Sequence, residues 1–348
     1  MKLLEVSDLH VSFRTVDGEV QAVRGVSFEL DAGQTLGIVG ESGSGKSVCT
    51  QTLLGLTTGA KVSGGARFAG QDLLTMGEQE LRELRGAQMA AIFQDPLSSL
   101  HPLYKVGWQI VEMIRAHEQV GKAVARRRAI DLLGMVGIPQ PERRVDDYPH
   151  QFSGGMRQRA LIAMALALNP KLVIADEPTT ALDATVQAQI LDLLLRLQQE
   201  NGMALIMITH DLGVIAGLAD EVLVMYAGRA AERADRRGLY YRPHHPYTNG
   251  LLESIPSSSA AGDRLRPISG QPPSLIRLPS GCAFHPRCAF AMDRCSQEQP
   301  DLQPVDDGEG HTSACWLPGH LLGASEEAKE GRRAASALGR TALQGGAA

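Results

Sequence analysis

Aromatic residues are scarce in this chain. Phe, Tyr and Trp make up 4% of its 348 residues, while 43% are hydrophobic. A core built from this composition must be mostly Leu, Ile, Val, Ala and Met. Long apolar runs are missing as well. The longest, Leu161–Leu168, falls far short of the ~20 residues a membrane-spanning helix needs, so any membrane role must come through a partner. No block of one charge sign is long enough to form a basic arm or an acidic tail, and the formal net charge is −5. That leaves no electrostatic footprint for nucleic acid. The opening Met1-Lys2-Leu3-Leu4-Glu5-Val6-Ser7-Asp8 is too charged and too briefly apolar for a signal peptide. The expectation is a soluble, unexported protein.

Cysteine is sparse until the C-terminal region. Cys49 stands alone, and Cys282, Cys288, Cys295 and Cys315 lie in one stretch. In a reducing cytosol such a cluster reads as a metal site rather than a disulfide framework. Cys49 reads as packing, since buried Cys behaves as a small hydrophobe.

Strand-like segments are predicted at Leu3–Val6, His10–Phe13 and Val26–Leu30. The short apolar run Thr35–Val39 reads as a buried strand. A Gly/Ser loop follows it, and then a helix over Lys46–Leu56. Helical spacing continues through 106–138, with Ile110, Val111 and Ile114 on one face and Ile130, Leu132, Leu133 and Val136 on another. A further helix runs from an N-cap at Ser153 to Leu168, and another covers Thr185–Gln199. Leu172–Ala175, Ala204–Ile208 and Val222–Tyr226 are further buried strands. Continuous apolar strands alternating with helices imply a parallel sheet covered on both faces. From about residue 256 the chain becomes rich in Pro and Ser, and residues 321–348 read as a disordered tail.

The strongest local signal is Gly40-Glu41-Ser42-Gly43-Ser44-Gly45-Lys46-Ser47, a full G-x-x-x-x-G-K-S between a strand and a helix. Glycines let the loop wrap so that backbone N–H groups point at phosphate oxygens, and the helix adds its positive end. Lys46 would meet the β- and γ-phosphates and Ser47 would ligate Mg²⁺. Val48 begins the helix beside them. The second element is the strand Leu172–Ala175 ending in Asp176-Glu177. Asp176 would hold Mg²⁺, and Glu177 would act as general base on the attacking water.

Between these elements lies Phe152-Ser153-Gly154-Gly155-Met156-Arg157-Gln158. It looks like the signature sequence of ABC ATPases, usually Leu-Ser-Gly-Gly-Gln, with Phe152 and Met156 departing from the common form as they do in peptide-importer subunits. The resemblance implies that Ser153, Gly154, Gly155 and Gln158 face the nucleotide of an opposing subunit, so that two subunits sandwich two nucleotides. It also makes Gln94 the Q-loop glutamine near Mg²⁺ and the water, Asp183 the D-loop aspartate, and His210 the switch histidine that contacts the γ-phosphate. Phe13 fits the aromatic that stacks on adenine, with a core phenylalanine as the alternative. The resemblance covers residues 1 to about 255. It implies an α/β ABC-type P-loop nucleotide-binding domain with a mixed parallel core sheet, an N-terminal antiparallel subdomain and a helical signature subdomain at about 98–165. A small loop-rich Cys-containing C-terminal extension follows at 256–320.

That extension narrows the family. His245-Pro246-Tyr247-Thr248, Ile268-Ser269-Gly270-Gln271-Pro272-Pro273 and Gly281-Cys282-Ala283-Phe284-His285-Pro286-Arg287-Cys288 resemble the extension on ATPase subunits of oligopeptide and dipeptide permeases, an architecture that nickel and glutathione importers partly share. The C-x5-C-x6-C spacing lacks the C-x2–4-C pairs usual for zinc. Peptide-permease ATPases that resemble this pattern carry a [4Fe–4S] cluster there. Such a cluster, with Zn²⁺ as the alternative, is what the resemblance implies for Cys282, Cys288, Cys295 and Cys315; His285 and His311 stand in reserve as ligands. The expected partners are a homologous second ATPase subunit, two transmembrane permease subunits and, indirectly, a solute-binding protein. The expected place is the cytoplasmic face of the cell membrane. The reading of another class is a non-transport ABC ATPase acting on ribosomes or DNA, which tends to carry two ATPase modules or a long coiled coil, neither seen here.

Overall fold

A computed structural model describes residues 2–180, 182–255, 268–305 and 310–317, apart from the side chain of residue 97. The boundary expected at 256 and the tail expected over 321–348 lie outside the described residues. The chain begins with β1 (Lys2–Thr15), β2 (Gly18–Asp31), β3 (Thr35–Val39), α1 (Lys46–Leu53), β4 (Ala60–Phe68) and β5 (Gln71–Asp72). Then come α2 (Glu78–Leu84), β6 (Met89–Ile92), α3 (Pro96–Ser99), α4 (Val106–His117), α5 (Lys122–Met135), α6 (Pro141–Arg144) and α7 (Gly154–Ala165). They are followed by β7 (Leu172–Asp176), α8 (Ala184–Asn201), β8 (Ala204–Thr209), α9 (Leu212–Ile215), β9 (Glu221–Tyr226) and β10 (Arg229–Asp235). The last elements are α10 (Arg236–Tyr241), α11 (Pro246–Glu253), a 3-10 turn at His285–Arg287, α12 (Asp293–Gln297), β11 (Gln303–Pro304) and β12 (Thr312–Ser313).

These elements form two compact units. One comprises Asp31–Gln34 and Thr75–Ile206; the other comprises Lys2–Leu30, Thr35–Leu74 and the chain from Met207 onward. In the first unit β6 and β7 pair in parallel, from Met89 opposite Leu172 to Ile92 opposite Ala175. Every residue of β7 is buried, which explains its unbroken apolar run. Helices fill the segment expected at 98–165, and α4, α5 and α7 pack on one another. The buried face of α4 holds Ile110, Val111 and Ile114, as the periodicity requires. On α5 the buried face is Ala125, Ala129 and Leu133, with Ile130 and Leu132 only partly covered. Leu133 and Val136 of the expected face are fully buried, and the stripe continues through Ala125 and Ala129 in place of Ile130 and Leu132.

In the second unit a four-stranded sheet has the order β2-β1-β4-β5. β1 pairs antiparallel with β4, and β4 with β5. The two segments predicted at Leu3–Val6 and His10–Phe13 are one strand. Its register shifts between Ser7 and His10, where Asp8 takes a left-handed φ of 47°. A bulge of this kind breaks the alternation from which a single strand would be read. A second group of strands runs β11-β12-β10-β9-β3. β3 and β9 are parallel, and β9–β10, β10–β12 and β12–β11 are antiparallel. The Cys-bearing segment thus joins the sheet of its unit, with Thr312 and Ser313 opposite Arg233 and Glu232. Among the described residues no helix is long and apolar enough to cross a membrane.

Candidate nucleotide site and cysteine cavity

The P-loop belongs to the second unit. The buried strand β3 ends at Val39, the chain turns through Gly40–Gly45, and α1 starts at Lys46. Gly45 is the N-cap, with φ 97°, a conformation that residues with a Cβ rarely adopt. A Cβ there would lie 2.2 Å from the Ala22 carbonyl oxygen, and one at Gly40 would lie 2.2 Å from that of Met225. Lys46 is 5% exposed. Its Nζ donates to the carbonyls of Gly40 (2.6 Å) and Glu41 (2.9 Å) and to Ser44 Oγ (3.4 Å). These bonds curl the ammonium into the loop, where a phosphate oxygen, as a charged acceptor, would compete with the Gly40 and Glu41 carbonyls. Ser47 and Val48 follow on the first turn of α1. The Gly45 carbonyl accepts from Cys49 N (2.9 Å), and Cys49 is fully buried, its thiol pushed up to about 12 by burial. Packing is the role this supports. Phe13 is half-buried on β1 opposite Ala60. His210 is exposed and directly follows β8.

The first unit carries the acids and the signature. Asp176 ends β7 and is 8% exposed. Glu177 follows with a left-handed φ of 46°, a strained backbone that costs of order 1–3 kcal/mol. Its Oε2 accepts from Gln94 Nε2 (3.1 Å) and from Thr180 Oγ1 (2.9 Å). The fold thus brings together two residues 83 positions apart. Thr180 was not named, since a hydroxyl after an acid pair carries no signal until the turn Glu177–Thr180 places it. Ser153 caps α7, its side chain accepting from Met156 N at 3.3 Å. Asp183 caps α8 in the same way, from Val186 N at 3.0 Å. Gln158, grouped with the signature from its sequence, lies further along α7 and is only 1% exposed. Burial separates it from the open end of the helix, where Ser153 and Gly154 are exposed.

In the second unit, Cys282, Cys288, Cys295 and Cys315 line one small cavity together with His245, Phe284, His285 and Trp316. Burial pushes the Cys282 and Cys288 thiols up and that of Cys315 up to about 12, with the neighbouring sulfurs adding to it. Backbone N–H groups of Phe284 and His285 at Cys282, Phe290 at Cys288 and Leu317 at Cys315 act in the other direction; Leu317 N lies 3.4 Å from Cys315 Sγ. Arg294 stacks over the Trp316 ring at 3.5 Å. Among the described residues no group of three or more His, Cys, Asp or Glu side chains is placed to hold a metal ion. Of the two reserve histidines, His285 lines the cavity, with Nδ1 2.9 Å from the Cys282 carbonyl oxygen. His311 instead bonds Glu232 through Nε2 at 2.8 Å.

Residues 23–180 match the ABC transporter family, and residues 231–295 match the oligopeptide/dipeptide transporter C-terminal region. The chain is 51% identical over 320 residues to the oligopeptide transport ATP-binding protein OppD of Bacillus subtilis, covering 91% of this chain and 89% of that protein. It is 50% identical over 319 residues to the dipeptide transport ATP-binding protein DppD of the same organism, covering 91% and 95%. Among solved structures, a dimeric ATP-binding cassette in a post-hydrolysis state with bound ADP and Pi matches with a TM-score of 0.61 and 26% identity, over 68% of this chain and 99% of that one. With two family regions in order and half of its residues shared along nine tenths of its length, the chain belongs to the ABC transporter ATPases, in the branch that includes the oligopeptide and dipeptide transport ATP-binding proteins.

Proposed function

We propose that this protein is the ATP-hydrolysing subunit of an importer of di- and oligopeptides, working at the cytoplasmic face of the cell membrane. The single observation that carries the chemistry is the Glu177 carboxylate, held at the end of β7 by Gln94 and Thr180. The named activities of the relatives support the cargo. On the roles these motifs have in the family, Gly40, Ser42, Gly43, Ser44, Gly45, Lys46, Ser47 and Val48 bind the phosphates, Phe13 stacks on adenine, and Ser47, Asp176 and Gln94 hold Mg²⁺. Glu177 takes a proton from water as it attacks the γ-phosphorus, while Lys46 and His210 stabilise the developing charge.

A homologous subunit completes the site with its own signature, and Ser153, Gly154 and Gly155 here serve the partner's nucleotide. Capping supports this assignment. Helix N-termini bind anions through unpaired N–H groups, and α7 opens on Ser153 and Gly154, both exposed. Asp183 lies at the D-loop of the same interface. Permease subunits would dock on the segment between Phe93 and Trp108. There Phe93, Leu103, Tyr104 and Trp108 are all exposed, and the Tyr104 and Trp108 rings stack at 4.3 Å. Large apolar residues left exposed together mark a protein interface. Nucleotide-driven closure then shifts the permease population between its states.

The four cysteines would hold a [4Fe–4S] cluster, which ties together a segment with little apolar core of its own. A cluster takes one thiolate on each of four irons, so its ligands surround a cube rather than meet on one ion. Four thiols on one cavity support a shared site; the preference for a cluster over zinc rests on the C-x5-C-x6-C spacing and on the resemblance to peptide-permease ATPases. Co-purification from membranes tests the transport reading. Two permease subunits and a second ATPase are expected with the chain, whereas ribosomes or DNA in their place would overturn it. A peptide-uptake assay distinguishes peptide cargo from nickel or glutathione.

A further inference from the structure

Glu41, the second residue of the P-loop motif, is held by the C-terminal part of its own unit. Its backbone N–H donates to Tyr247 Oη on α11 at 2.7 Å. Its carboxylate accepts two bonds from Arg287, Nη1 to Oε2 at 2.6 Å and Nη2 to Oε1 at 2.9 Å. The Arg287 side chain is only 5% exposed and that of Glu41 26%. Arg287 is itself fixed on all sides. Nε donates to the Ser269 carbonyl at 2.9 Å, Nη1 also reaches Tyr226 Oη at 3.2 Å, and the guanidinium lies 5.8 Å and 5.9 Å from the Tyr226 and Phe284 ring centres. Arg287 occupies the 3-10 turn between Cys282 and Cys288, whose N–H groups bond back to the Cys282 and Phe284 carbonyls. One half-buried two-pronged ion pair thus joins the four-cysteine segment to the P-loop.

We propose that Arg287 is a positioning residue for nucleotide binding, which fixes and neutralises Glu41 and so makes the affinity of the P-loop depend on the integrity of the four-cysteine segment. Two physical effects act together. Uncompensated, the Glu41 carboxylate would repel a polyphosphate bound to the adjacent backbone. Unheld, the Glu41 backbone would lose the geometry that points neighbouring N–H groups at the ligand. A planar guanidinium does both, because its fork matches the carboxylate at two points. The inference rests on the reading of Gly40–Ser47 as the ATP site.

The test is a titration of the full chain with a fluorescent ATP analogue and Mg²⁺, set out as a double-mutant cycle. Arg287→Met is expected to weaken binding roughly tenfold, within the range coupled sites show. In a Glu41→Gln background the same substitution is expected to change binding little, since no charge remains to be neutralised. In steady state the loss should appear in the KM for ATP more than in kcat. Cys282→Ser is expected to weaken binding in the parent chain and to add little once Arg287 is Met. Equal effects of Arg287→Met in both Glu41 backgrounds would overturn the proposal. So would a fall in thermal stability with no change in affinity. Should Arg287→Met fail to fold, Arg287→Lys carries the same cycle, retaining charge but losing the fork. A parent chain that binds no MgATP would instead overturn the nucleotide reading, an outcome distinct from a parent that binds and a variant that binds equally.

Discussion

At Gly45 a methyl group has nowhere to go: its Cβ would sit 2.2 Å from the Ala22 carbonyl oxygen, on a backbone with φ 97°. Gly45→Ala is therefore expected to abolish nucleotide binding, read by equilibrium dialysis with labelled ATP, even where the variant still folds. Lys46→Met should weaken MgATP binding by more than tenfold in the same assay, since it removes the ammonium that would meet a charged phosphate oxygen. Both residues were legible in the sequence, since a strand, a Gly-rich loop and a helix in that order specify the chemistry of the loop. Arg287 and Thr180 were not. An arginine 246 positions from its carboxylate partner leaves no local pattern. A hydroxyl aimed at Glu177 depends on a left-handed φ at a glutamate, which no composition rule anticipates.

Elements made of continuous apolar runs were read well, and those with interrupted patterns less so. β3, β7 and β8 are buried throughout, so hydrophobicity alone marks them. β1 was read as two strands because its bulge reverses the alternation midway. α1 ends at Leu53, short of the expected Leu56, where Leu54 closes the last turn and Gly55 takes φ 64°. At the start of α7, Ser153 is a helix cap whose proposed second role can be tested separately. Ser153→Ala removes a cap, worth about 0.5–2 kcal/mol of stability. If the hydroxyl also meets a partner's phosphate, ATPase activity falls far beyond what that loss of stability explains, and chemical denaturation alongside turnover separates the two. Gly155 carries a packing constraint as well. A Cβ there would lie 2.8 Å from Val186 Cγ1 on α8, so Gly155→Val is expected to destabilise the chain by about 1–3 kcal/mol in urea unfolding.

Over the whole molecule, the Cys-bearing segment is where sequence and structure add most to each other. Spacing alone did not decide between cluster and zinc, because the four positions span separate turns and only the fold gathers them on one cavity. Anaerobically purified protein is expected to be brown, with visible absorbance that Cys282→Ser abolishes; colourless protein containing zinc would contradict the cluster assignment. The segment's strand β12 and its Arg287 also show why it is not a detachable appendage: one pairs with β10 and the other grips the P-loop. The account as a whole stands on ATP hydrolysis driven from the end of β7. The most direct measurement is MgATP turnover by Glu177→Gln, with the state of association followed in the same samples. The account predicts unimpaired MgATP binding, hydrolysis slowed about a hundred- to ten-thousand-fold, and an ATP-bound dimer that persists. Hydrolysis at the parent rate would show that Glu177 is not the base and would contradict it.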